Sequence, residues 1–200
     1  MGKTKGCEIA KKYAEFIKSL LKISLDNKRE LGAVFCIGNG YKEPKLGYTS
    51  IGSEDHVAIP PCPPTQESIG TLHTHTDTDF FSSIDYLALA AKDDEFSCIA
   101  YLDENGEPYV KCIHRPENVK EWLEKIDELQ KLEDEAAKAY AAYENAFNQV
   151  INVIEEEGEL SNKAAILKEL SERREELLEK FSKLREKAIE LEPDACVVKL

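Results

Sequence analysis

Two histidines two places apart, His73 and His75, lie in the run Gly70-Thr-Leu-His-Thr-His-Thr-Asp-Thr-Asp-Phe-Phe-Ser-Ser-Ile-Asp85, which holds two of the chain's four histidines. On a strand, alternate residues project from one face, so these imidazoles would stand side by side while Leu72 and Thr74 face the other way. Ser82 and Asp85 are three apart, which on a helix puts them on one face, close to the strand's end. His73, His75 and Asp85 then make a set of three metal ligands. Such a set leaves one position open, as a catalytic zinc requires; a structural zinc is closed by four ligands, often cysteines. The chain contains no Cys-x-x-Cys pair.

The elements that must position these residues follow from local pattern. Ile9, Tyr13, Phe16, Ile17, Leu20 and Leu21 recur at spacings of three and four, predicting an amphipathic helix over 7–24 that ends at Asp26-Asn27. Leu31 to Gly38 is an apolar run of strand length, followed by a turn and a weaker extended stretch around Tyr48 to Ile51. His56 to Ile59 is a further short strand in this reading. Pro60-Pro-Cys-Pro-Pro64 demands an extended loop, because each proline disfavours helix for itself and its predecessor. Glu67 to His75 reads as a strand, and a helix follows with Ser82 as N-cap and Asp85 in its first turn. Phe96–Leu102 and Pro108–His114 flank an Asn-Gly step, a strong hairpin signal. This predicts a mixed α/β (α+β) domain over residues 1–115 with a largely antiparallel sheet.

With the elements in place, the chemistry-bearing residues resemble the JAMM (MPN+) metalloprotease domain. Its signature is an upstream Glu, a His-Ser/Thr-His pair, a short spacer and Ser-x-x-Asp. Here Glu30-Leu-Gly-Ala-Val-Phe-Cys-Ile-Gly38 occupies the place of the family's Glu strand, after an amino-terminal helix. The resemblance covers about residues 7–115 and implies the family's cytidine-deaminase-like fold. It implies that His73, His75 and Asp85 bind Zn²⁺, that Glu30 shuttles the proton, and that Ser82 steadies the oxyanion. The implied substrates are conjugates of a ubiquitin-like or sulfur-carrier modifier. Six residues separate His75 from Ser82 where the family usually has seven, and Thr76 replaces the usual Pro. Restoring seven would select Ser83, but Tyr86 three places on cannot replace the carboxylate, so Ser82 and Asp85 are retained, with Asp77 or Asp79 as the substitutes if the helix tilts. The short segment from Asp85 to Phe96 matches a compact prokaryotic version.

The His-Thr-His-Thr run also resembles the opening motif of PHP-type phosphoesterases, but those gather several later histidines, whereas only His114 follows His75 here. His114 and His56 are read as structural. Cys62 is read as a loop thiol, with an inhibitory fourth ligand as the alternative.

Two hundred residues can hold one domain or two small ones. The 26 basic and 39 acidic residues give a net charge of −13 with no basic cluster, which excludes a nucleic-acid-binding surface. No signal-like or membrane-spanning apolar run is present, so a cytoplasmic protein without membrane attachment is expected. The six cysteines, far apart in the chain, are expected to be thiols.

Past Pro116 turn residues nearly vanish in favour of Glu, Lys, Leu and Ala, so residues 116–200 are assigned to a long antiparallel coiled-coil helical hairpin with a short tail. Trp122, Ile126, Leu129, Ala136, Tyr140, Tyr143, Phe147, Val150 and Ile154 form one predicted seam. Leu167, Leu170, Leu177, Phe181, Leu184, Ala188 and Leu191 form the other. The break is placed at Gly158. Such an acidic hairpin suits a protein partner or self-association. The competing function is a non-catalytic scaffold in which this hairpin mediates assembly.

Overall fold

The computed structural model describes residues 4–38, 40, 42–54, 56–76, 78–155, 160–192 and 194–200. Their order is α1 (Lys5–Lys12), α2 (Ala14–Asn27), β1 (Leu31–Gly38), β2 (Lys45–Ile51), β3 (Gln66–Thr74), α3 (Ser83–Ala91), β4 (Phe96–Leu102), β5 (Pro108–His114), α4 (Val119–Glu155), α5 (Leu160–Glu190) and β6 (Cys196–Lys199). The fold is α+β. Six strands form one mixed sheet in the order β2-β1-β3-β4-β5-β6. Only β3 and β4 pair in parallel, with α3 as the crossover between them; the other neighbours are antiparallel.

Strand alternation divides the sheet into two faces with different work. Leu31, Ala33, Phe35, Leu72, Phe96, Cys98, Ala100, Val110, Cys112 and Val198 point to one side and bury against Ile9, Ala10, Ile17 and Leu20 of α1 and α2. The opposite face carries His73, Ser97, Ile99, Lys111 and Ile113, with Phe81 and Tyr86 buried at the start of α3. The hydrophobic core and the chemistry therefore lie on opposite sides of the same strands.

The amino-terminal helix expected over 7–24 is two helices. Tyr13 leaves helical geometry (φ −109°, ψ 19°) and its N–H turns back to Ala10, so α1 stops and α2 starts afresh. No strand forms at His56–Ile59. That segment instead lies across β1: a Cβ on Gly32 would meet Ile59 at 2.7 Å and Val57 at 3.1 Å.

The expectation of six thiols is overturned. Cys7 is bonded to Cys196, Cys36 to Cys62 and Cys98 to Cys112, so no cysteine is free. Separation along the chain misleads here because the sheet places Cys98 opposite Cys112, and Cys112 opposite Cys196, in neighbouring strands. Cys62 is neither a thiol nor poised as a ligand; it ties the proline-rich loop to β1.

Two units divide the chain, one of Met1–Leu123 with Glu192–Leu200 and one of Glu124–Leu191. The change at Pro116 thus falls a few residues before the division. The tail, grouped with the hairpin in the sequence reading, belongs to the first unit as β6, paired to β5 from Tyr109↔Lys199 to Cys112↔Cys196.

In the second unit α4 and α5 run antiparallel, since Glu128 pairs with Lys187 at 2.5 Å and Glu135, seven residues on, pairs with Lys180, seven residues back, at 2.6 Å. Part of the expected seams shifts by one position. Ala139 and Ala146 are buried on α4, whereas Tyr140 and Phe147, and Leu167 and Phe181 of α5, remain 40–55% exposed. Small alanines permit close approach of a neighbouring backbone, and the bulky rings lie outside it. The break placed at Gly158 lies outside the described residues, and of Ile154 only its helical backbone is described. Among the described residues no helix is long and apolar enough to cross a membrane.

Candidate metal centre

His73 occupies β3 between two fixed neighbours, opposite Gly32 of β1 and Ile99 of β4. The strand ends one residue later, yet the His75 N–H still bonds the Ala100 carbonyl at 2.8 Å, so the extended backbone carries both imidazoles to the same side. Their Nε2 atoms lie 2.9 Å apart, and both residues are 6% exposed. Phe81 closes the apolar side, its ring edge-on to His73 and tilted against Tyr86.

Asp85 arrives from α3. Ser82 caps that helix, its Oγ accepting from the Asp85 N–H, while the Ser82 N–H and hydroxyl donate to Asp85 Oδ2 at 2.8 and 2.7 Å. This reciprocal capping box fixes the carboxylate's rotamer. It leaves Asp85 Oδ1 3.2 Å from His73 Nε2 and Oδ2 3.8 Å from His75 Nε2. The six-residue spacer between His75 and Ser82 thus delivers Asp85 to the imidazoles. Asp77 lies outside the described residues, and Asp79 is not among the three clustered ligand groups.

Glu30 reaches the site from the turn between α2 and β1. Lys28 takes the left-handed conformation (φ 50°) that reverses the chain. A buried hydroxyl relay then locks the turn to β3: the Leu31 N–H donates to Thr74 Oγ1, Thr74 to Ser24, and Ser24 to the Arg29 carbonyl. The Glu30 backbone is bracketed by the returning loop, donating to the Ser53 carbonyl at 2.7 Å and accepting from the Gly52 N–H at 2.8 Å. At Gly52 any Cβ would lie 2.0 Å from the His56 carbonyl, so glycine alone allows the fold-back. Glu30 Oε1 comes to rest 3.9 Å from His75 Nε2, its side chain 12% exposed.

The electrostatics define a seat for positive charge. Burial lowers the His73 pKa, but the Asp85 charge, a hydrogen bond to it and the Glu30 charge together leave it raised. His75, facing that imidazolium, is lowered to about 4 by burial first and then by His73. Burial raises the Asp85 pKa, and the two histidines and the Ser82 hydrogen bond outweigh it, holding the carboxyl well below its ordinary range. His73 Nε2 thus faces the Asp85 carboxylate on one side and His75 Nε2 on the other, a setting that favours positive charge between them.

The donor set fits a metal ion. His73 Nε2, His75 Nε2 and an Asp85 oxygen lie within 4.8 Å of one another. Two further atoms of the ligands are already engaged, His75 Nδ1 lying 2.9 Å from Thr78 Oγ1 and Asp85 Oδ2 held by Ser82. Such outer hydrogen bonds fix tautomer and orientation in metal sites. The group can therefore hold a metal through two nitrogens and one oxygen.

His56 is exposed in the loop, and His114 lies on the opposite face of the sheet, its Nε2 accepting from the Gly6 N–H at 3.5 Å. Neither belongs to the cluster. The sequence reading missed Thr78, Phe81, and the Ser24–Thr74 relay. A Ser or Thr beside a ligand carries no periodic signal, and Phe81 had a readable clue only in being apolar immediately before an N-cap. Also missed was a buried ion pair on the site's face of the sheet: Lys111 lies 3.1 Å from Glu192, which also accepts from the Tyr86 hydroxyl at 2.6 Å.

No protein-family model matches the chain, and no curated protein matches it in sequence.

Proposed function

We propose that this protein is a zinc-dependent isopeptidase or peptidase of the JAMM type, which releases a ubiquitin-like or sulfur-carrier modifier from its conjugates. The observation that carries the reading is Glu30: a fourth acidic or imidazole group outside the three-ligand cluster, with Oε1 3.9 Å from His75 Nε2. A structural metal needs no such neighbour, whereas a hydrolase needs a base beside its open position.

Zinc held by His73, His75 and Asp85 would supply Lewis acidity, lowering the pKa of water toward about 7 and polarising a carbonyl. Glu30 takes the proton from the attacking water and delivers it to the departing amine, both within one largely enclosed position. Thr78 holds His75 in the tautomer that offers Nε2. Ser82 orients Asp85 in the resting state, and its hydroxyl is the donor assigned in this reading to the developing oxyanion. The JAMM-like fold assignment rests on the same residues and on the order of elements: helix, Glu strand, His-x-His strand, Ser-x-x-Asp helix and closing hairpin. The α4–α5 pair, read as a coiled-coil hairpin, supplies the surface for a protein partner or a second copy.

The test is a paired measurement of bound metal and amide-bond cleavage on carboxyl-terminal fusions of ubiquitin-like and sulfur-carrier proteins. Glu30→Gln is expected to keep one zinc per chain and lose activity by about 10²–10⁴; His75→Ala loses both. A folded protein that excludes zinc, or one whose cleavage survives Glu30→Gln, overturns the proposal, the first outcome favouring a scaffold.

A further inference from the structure

On the sheet face away from the metal cluster, four cysteines meet. Cys98, Cys112 and Cys196 are successive register partners across β4, β5 and β6. Cys7 descends onto them from α1, and the close approach is enforced by backbone: a Cβ on Gly6 would lie 2.9 Å from Cys112 Cβ and 3.1 Å from its Sγ. The sulfurs of Cys7, Cys112 and Cys196 all lie within 4.8 Å of one another. The Cys7–Cys196 and Cys98–Cys112 disulfides are therefore in contact, not two separate staples. Their access to solvent differs. Cys98 and Cys112 are fully buried and Cys7 is 6% exposed, while Cys196 on the edge strand is part-exposed.

We propose that these four cysteines form a thiol–disulfide relay, in which a dithiol reductant enters at Cys196 and the reducing equivalents emerge at buried Cys98. A thiolate of the reductant attacks Cys196 Sγ, the Cys7–Cys196 bond breaks and Cys7 leaves as thiolate. Cys7 is the third residue of α1, where the helix amino terminus favours that charge. The Cys7 thiolate then attacks Cys112 Sγ, forming Cys7–Cys112 and expelling Cys98, which takes up a proton. The reductant's second thiol closes on its own mixed disulfide and releases Cys196 as a thiol. In sum one dithiol becomes a cyclic disulfide, and the protein gains two thiols, at Cys98 and Cys196. The outcome for the fold is a transfer of the staple: α1 is now bonded to β5, and β6 keeps its hydrogen bonds, the Lys199–Glu107 ion pair and the burial of Val198 but has no disulfide.

Peptide mapping tests this on the intact protein. One equivalent of dithiothreitol is added under native conditions, exchange is quenched with acid, thiols are blocked with N-ethylmaleimide in denaturant, and trypsin separates all four cysteines into residues 6–11, 93–111, 112–120 and 188–199. The relay yields equal labelling of Cys98 and Cys196 and a disulfide-linked pair of peptides 6–11 and 112–120. Labelling of Cys7 and Cys196 with Cys98–Cys112 intact overturns it, as does a reduced protein whose thiolates bind added Cd²⁺ with a charge-transfer band and resist the label. Gly6→Ala, which separates α1 from Cys112 while leaving all four cysteines in the chain, shifts label from Cys98 to Cys7; unchanged labelling in that variant counts against the relay. Cys36–Cys62, outside the cluster, is the internal reference.

Discussion

His73 and His75 meet Nε2 to Nε2 at 2.9 Å in a buried site, an approach that two imidazolium rings could not sustain. The proximity and burial disfavour a second proton on His75 while Asp85 and Glu30 favour one on His73, so stability must depend on pH in both directions. His75, with its pKa lowered to about 4, favours the folded state when neutral; its contribution is present above the unfolded value near 6.5 and is lost as pH falls toward 4. His73, with its pKa raised, contributes stability below about 6.5 that disappears as pH climbs through its folded value. In chelator, the free energy of urea unfolding should peak near pH 6.5 and decline on the acid side by about 3 kcal/mol from His75. His75→Gln should flatten that limb. A midpoint that does not change between pH 4 and 6.5 would contradict the buried pair.

Ser82 serves the helix and the carboxylate together. Ser82→Ala removes the N-cap of α3, at a cost of about 1 kcal/mol, and leaves Asp85 Oδ2 with the backbone N–H of residue 82 but without the hydroxyl bond. Metal affinity should fall by about 10–100-fold, as it does when the outer hydrogen bond to a ligand is lost. Ser82→Thr, which keeps the hydroxyl, should retain most of both. Equal affinity in the alanine variant, measured by competition with a chromogenic chelator, would show that Asp85 is held by something else.

The Lys111–Glu192 pair is nearly closed to solvent, with side-chain exposures of 12% and 4%. Lys111→Met leaves a buried carboxylate without its cation and should cost about 3–5 kcal/mol. Lys111→Met combined with Glu192→Gln keeps an acceptor for the Tyr86 hydroxyl while removing both charges, and should recover most of the loss. Denaturant unfolding of the parent, each single variant and the double variant decides this; additive losses would rule out coupling.

Cys62 anchors the loop whose return brackets Glu30. Its bond to Cys36 closes a span of 26 residues, for which chain entropy gives about 3.5 kcal/mol. Cys62→Ser should lose roughly that stability and should speed cleavage after exposed Glu54 by a glutamate-specific protease. Bound metal should be unaffected, since no ligand lies in that loop. Cleavage as slow as in the parent protein would mean that the loop's backbone bonds to Glu30 and its packing on β1 hold it without the disulfide.

Local chemistry made much of this protein readable from its residues. The alternation around His73, the cap at Ser82 with Asp85 three residues on, the Asn-Gly hairpin and the long Glu- and Lys-rich helices are set by contacts within a few residues, and they reappear in the fold with small shifts. The helix break at Tyr13 and the one-residue drift that buries Ala139 in place of Tyr140 escaped, because each turns on what a neighbouring element presents. The cysteines make the division plainest. Composition and spacing suggested six thiols, and the fold paired them all: register sets Cys98, Cys112 and Cys196 side by side, while Cys7 arrives from α1 and Cys62 from the proline-rich loop. Likewise Glu30 was marked by a family resemblance, but its place 3.9 Å from His75 depends on Ser24, Thr74, Ser53 and Gly52, residues that share no motif. Sequence chose the groups capable of chemistry. The long-range hydrogen bonds and strand pairings, which no local window contains, decided which of them meet.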